Sequence, residues 1–175
     1  FYLAGAPALL GILVLILLPE SPTWLASRGR TTGPKPPAPL RELFRPPLLR
    51  ITFTGIMLGS IPLVGAWAAS KWMIPWADEI GRAVRSDYKA VTQGWWAAGA
   101  ILGSLIGAQI AALLGRRLSY FLISIGSFAL TWAMFQMTAP LQASFLPVVF
   151  AQGLVATLFF GWLPLYLPEL FTTAV

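Results

Sequence analysis

The chain has no cysteine and no histidine, and it carries only 6 Asp and Glu residues in 175. The first two absences exclude the common zinc centres, haem held by thiolate or imidazole, a cysteine nucleophile and any disulfide framework. Charge is scarce as well, at 10% of residues against about 25% in an average soluble domain. A G-x-S-x-G elbow, a phosphate-cradling glycine loop and a pair of carboxylates placed for acid-base work are all missing. An enzyme is therefore not expected, nor is a cofactor or a metal site. A membrane enzyme would need its whole catalytic group from elsewhere. What is present is 57% hydrophobic, with a mean hydropathy of +0.74, and a 19.0 kDa soluble domain could not clothe its surface with so little charge. The composition is that of a chain whose main solvent is lipid.

Crossing the ~30 Å hydrocarbon layer takes roughly 20 apolar residues in a helix. Five runs approach or meet that length: residues 1–18, 51–75, 91–114, 118–138 and 145–167. They far exceed the roughly 10-residue alternating strands of a barrel, and lipid offers no partner to an open backbone, so the fold expected is all-α, a polytopic bundle of transmembrane helices. The first run is slightly short and begins at Phe1 without a signal-peptide pattern, which suggests an internal piece of a longer chain.

Charge orients the bundle. Arg28, Arg30, Lys35, Arg41, Arg45, Arg50, Arg116 and Arg117 fall on one side, and Arg82, Arg85 and Lys89 on the other. The first side, residues 19–50 and 115–117, is expected to be cytoplasmic, in a multi-pass protein of a plasma or inner membrane. Trp72, Trp76, Trp95 and Trp96 gather at the opposite end, where an aromatic belt belongs. The net charge of +6 thus reads as topology. No basic face interleaved with aromatics speaks for nucleic acid. Residues 19–50 form a Pro-rich basic linker, in which "LRELFRPPLLR" suits a short helix at the membrane surface.

Few polar residues enter the spans. Gly99, Gly103, Gly107, Ala111 and Gly115 recur every four positions, a stripe where another helix can approach closely, either as ordinary packing or as a sliding contact between moving halves. Lys71 lies about 30 Å along its helix from Ile51. It either snorkels to water or, flanked by Trp67, Ser70 and Trp72, meets an anionic substrate group. Gln93, Ser104, Gln109, Ser124, Gln136 and Thr157 read as hydrogen bonds between helices. Gln152 is the best binding candidate, because it shares a helix with Phe159, Phe160, Gly161, Trp162 and Pro164, a segment suited to lining a cavity and bending.

Four motifs carry a resemblance. "PESPTWLASRGR" is similar to the signature following the sixth helix in the sugar-porter branch of the major facilitator superfamily. "LGRRLSY" resembles that branch's loop between helices eight and nine, "YLPELFTTAV" its exit from helix ten, and "LRELFRPPLLR" the end of its central loop. Thr23, Thr172 and the pair Ala112 and Leu113 depart from the pattern, and the glutamine pair expected on helix seven is not evident. The resemblance implies helices six to ten of twelve: residues 1–18 ending the first half, 19–50 linking, and 51–175 forming part of the second half.

It further implies alternating access, with helices seven and ten lining the substrate path and helix eight packing on the other half. Trp67, Lys71, Gln152 and Trp162 would then face the cavity, and Gly99, Gly103, Gly107 and Gly115 the moving seam. Glu20 and Glu169, with Arg116 and Arg117, would form a cytoplasmic gate. The function expected is secondary active transport of a small polar metabolite, a sugar or an organic anion, with a proton, in a lipid bilayer and together with the missing helices of the same chain. The rival is a channel or a structural membrane subunit.

Overall fold

The computed structural model describes residues 6–20, 22, 25, 43–46 and 48–171. These fall into two units, divided between Pro39 and Leu40.

The first unit contains α1, Ala6–Leu17. Twelve residues at ~1.5 Å each span about 18 Å, short of a hydrocarbon layer, so α1 as described does not make the fifth span expected from residues 1–18. The remainder of that run, residues 1–5, lies outside the described residues. So do most of the expected linker and the serine and tryptophan of its "PESPTW" motif.

The second unit is all-helical among its described residues. It comprises α2 (Leu48–Gly81), α3 (Tyr88–Leu114), α4 (Arg116–Met137), α5 (Phe145–Thr157), a 3-10 turn (Leu158–Gly161) and α6 (Leu163–Glu169). Counting the broken segment Phe145–Glu169 as one, four helices are long and apolar enough to cross a membrane. Large apolar side chains such as Phe53, Val64, Leu105, Phe128 and Leu165 point outward along their length, as a lipid-facing surface requires.

α2 begins at Leu48, not Ile51, and residues 43 and 44 form only a 3-10 turn, whose Leu43 carbonyl accepts from the Thr52 hydroxyl at 2.8 Å. The surface helix expected over this stretch is not seen in its described part. α2 also continues past Pro75 to Gly81. Proline deletes one helical hydrogen bond, but here burial holds the helix: Met73 and Ala77 are fully buried, and Trp76 packs on Phe135 and edge-on to Phe145. At Pro62 the deleted bond has a substitute. The Leu58 carbonyl, one turn earlier, accepts from the Tyr120 hydroxyl of α4 at 3.3 Å.

Two apolar clusters close the unit. At the end where α2 meets α3, Met73, Ala77, Tyr88, Met134, Phe145 and Val149 pack together. The Tyr88 hydroxyl there accepts from the Leu141 N–H at 2.8 Å, holding a non-glycine residue at φ 75, a conformation that needs such support. At the other end Ala111, Ile123, Leu158, Phe159, Trp162 and Leu163 pack together. The expected aromatic belt divides: Trp72 and Trp95 are exposed, whereas Trp76 faces inward and the Trp96 indole N–H bonds Gln152.

Candidate functional site

The seam between α3 and α5 positions everything else. Gly99, Gly103 and Gly107 are buried, and they meet the carbonyls of Phe150, Leu154 and Leu158, which share the same four-residue spacing. A Cβ added at any of the three would lie far inside contact distance of those backbone oxygens. The opposing surface is equally small. Gly153 approaches the Trp96 carbonyl, Gly161 would place a Cβ 2.7 Å from the Ser104 oxygen, and the Thr157 hydroxyl donates to Ala100 across the seam at 2.9 Å. Gly153, Thr157 and Gly161 repeat every four residues along α5 and the 3-10 turn that follows it, the same small-residue signal that α3 carries. The stripe thus packs within one unit. Gly115 is not part of it: at φ 81, with open space around it, it ends α3 and leads into α4.

The residues expected to share a substrate cavity are spread over three places. On α2, Trp67 and Trp72 are 55% and 74% exposed, Lys71 is exposed with its Nζ 5.2 Å from the Trp67 ring centre, and Ser70 donates to its own helix at the Trp67 carbonyl. Gln152 is fully buried in the seam region, where its Oε1 accepts from Trp96 Nε1 at 2.8 Å while its Nε2 has no partner. That geometry is a bond between helices. Trp162 lies at the far end of the same segment.

Instead, a cavity of about 310 Å³ opens between α2, α4 and α5, lined among others by Pro62, Ala66, Ser124, Ser127, Thr131 and Phe159. The hydroxyls of Ser124 and Ser127 are buried without partners. None of the six expected cavity residues lines it.

Three of the four residues expected to form a gate lie at the opposite end of the bundle from the Tyr88 cluster. Arg116, the first residue of α4, grips Glu169, the last of α6, through both terminal guanidinium nitrogens, with Nη2 to Oε1 at 3.2 Å, and stacks over Tyr166 at 4.7 Å. Both partners are about half exposed, so solvent and salt screen the pair. Leu58, Arg116, Arg117, Tyr120, Trp162 and Tyr166 line a cavity of about 220 Å³ beside it. Glu20 is exposed just beyond α1, in the other unit. At the Tyr88 end the charges are locally paired: Arg82 and Lys89 on Asp78, and Arg85 on Asp87, whose hydrogen bond holds the Asp87 carboxyl below its ordinary range.

No family model, no curated protein and no solved structure matches this chain.

Proposed function

We propose that the chain is part of a secondary active transporter of the major facilitator type, in its sugar-porter-like branch, moving a small polar metabolite by alternating access. The observation that supports it most is the Arg116–Glu169 ion pair. Its two partners come from "LGRR" and "LPELF", 53 residues apart, two of the motifs that carry the resemblance to this family. An ion pair between helix ends, half exposed, is suited to forming and breaking once per cycle, because screening keeps its strength modest. The arginine end is then cytoplasmic, and a proton is the coupling ion.

The test uses the whole protein that carries this sequence, in liposomes. Uptake of a labelled hexose and of a labelled monocarboxylate is measured with and without an inward proton gradient. Saturable uptake of one of them, raised by the gradient, lowered in Arg116→Glu and recovered in Arg116→Glu/Glu169→Arg, is the expected result. Non-saturating flux that ignores both the gradient and the charge swap would instead favour a channel. That second reading draws on one observation: the polar candidates for a substrate site do not converge.

A further inference from the structure

The two halves of α2 are held very differently. Of its eight buried residues only Thr52 precedes Pro62, and the others run from Pro62 to Gly81. The later half is pinned in the Tyr88 cluster through Met73, Trp76 and Ala77. Residues 48–61 have no such anchor. Thr52 bonds only the turn before the helix, at the Leu43 carbonyl. A Cβ added at Gly55 or Gly59 would meet Leu170 or Leu167 at ordinary contact distance, 3.9 and 3.6 Å. Between Leu58, the start of α4 and the pair Trp162 and Tyr166 lies the cavity of about 220 Å³.

At the junction stands Pro62, which deprives the Leu58 carbonyl of its helical donor. The substitute, the Tyr120 hydroxyl at 3.3 Å, comes from another helix. Arg116 lies four residues before Tyr120, hence on the same face of α4, and it holds Glu169 at the end of α6. α6 is the helix whose Leu167 meets Gly59, and it follows the 3-10 break Leu158–Gly161. One face of α4 therefore carries both attachments, one to each of two segments that begin at a break in a helix. Proline kinks and interrupted helices are where packed helices bend.

We propose that residues 48–61 are a strap hinged at Pro62, latched to α4 by Tyr120, that opens together with α6 when the Arg116–Glu169 pair breaks. The strap goes beyond the transport reading and needs only the fold of the second unit.

The chain has no cysteine, so spin labels can be placed in pairs without background, and distances are read by pulsed electron resonance in nanodiscs. Three pairs at exposed positions suffice: Leu49→Cys with Leu113→Cys for the strap, Leu165→Cys with Leu113→Cys for α6, and Ile80→Cys with Phe128→Cys for the pinned half. A kink of about 20° at Pro62 would carry Leu49, about 20 Å along the helix, by about 7 Å. Tyr120→Phe should raise the displaced population of the first pair about fivefold, the factor that one ordinary hydrogen bond is worth. Arg116→Gln should displace the first and second pairs together, and the third pair should keep the parent's distances in both variants. Pro62→Ala returns the helix's own donor to Leu58 and should suppress the opening caused by Tyr120→Phe. An unchanged first pair in Tyr120→Phe overturns the latch. Movement of the second pair without the first in Arg116→Gln overturns the coupling between strap and α6. Equal broadening of all three pairs, or opening that survives Pro62→Ala, overturns the hinge. None of these readings involves uptake, so the strap and the transport reading fail independently.

Discussion

Replacing Gly103 by alanine should destabilise the second unit, although alanine is the better helix former. The intrinsic gain is about 0.8–1.0 kcal/mol per residue in a helix interior. Against it stands the geometry: the new Cβ would press on the Leu154 carbonyl and come within 2.5 Å of the Thr157 hydroxyl. The carbonyl is backbone and cannot swing away, so α3 and α5 must separate. Overpacking of this kind costs about 1–3 kcal/mol, and the bond from Thr157 to the Ala100 carbonyl, worth about 1 kcal/mol, is strained with it. The net expectation is a loss of roughly 1–3 kcal/mol, the difference of those three contributions.

Gly94→Ala is the internal control, because nothing lies within 4 Å of its Cβ position. It should be neutral or stabilising by up to about 1 kcal/mol. Both variants are unfolded thermally in one detergent, with near-ultraviolet circular dichroism as the signal. Adding Thr157→Ala to Gly103→Ala should leave most of the loss in place, since the obstruction is the Leu154 carbonyl. If Gly103→Ala is as stable as Gly94→Ala, the two helices are not in backbone contact, and the account of the seam fails.

Tyr120→Phe should cost about 1 kcal/mol by orphaning the Leu58 carbonyl; in a Pro62→Ala background, where the helix regains its own donor, the same change should cost clearly less, and a double-mutant cycle of melting midpoints measures the difference. Trp96→Phe leaves the buried Gln152 amide without any partner and should lose about 1–3 kcal/mol, more than Gln152→Met, which removes both buried polar atoms and orphans only the indole N–H of the half-buried Trp96; equal losses on denaturant titration would contradict this. The depressed Asp87 carboxyl adds stability that is present above its unfolded pKa of about 3.9 and is lost as pH falls through its lower folded value. Asp87→Asn should therefore leave melting unchanged by pH between about 5 and 8 beyond a small constant offset, and should flatten only the acid limb of a pH scan.

The spans were legible because hydropathy over some twenty residues is an average that one exception cannot spoil. Their ends were less so. Proline at position 75 reads as a stop, yet the helix runs six residues further because Met73, Trp76 and Ala77 are held by α4 and α5. No local pattern announces a partner that lies some sixty residues away. The same holds at Pro62, where the compensating donor is Tyr120.

The site residues divide along the same line. Gly99, Gly103 and Gly107 declare themselves, since a stripe of small residues says that something approaches closely, but it does not say what. The approaching surface is written in Gly153, Thr157 and Gly161 at the same spacing, but it is interrupted by aromatics whose presence points to Gln152 as a ligand instead. A glutamine in a span must place both an amide NH2 and a carbonyl oxygen, and an indole 56 residues earlier meets only the oxygen. Arg116 and Glu169 come together for the opposite reason. Both are charged residues at helix ends in otherwise apolar sequence, so each had to remain near water, and with Gly115 ending α3 just before Arg116 and the last helix stopping at Glu169 the two were left at one end of one bundle. Where the choice of partners is that small, a one-dimensional reading suffices; where many apolar faces compete, as for Gln152, only packing decides.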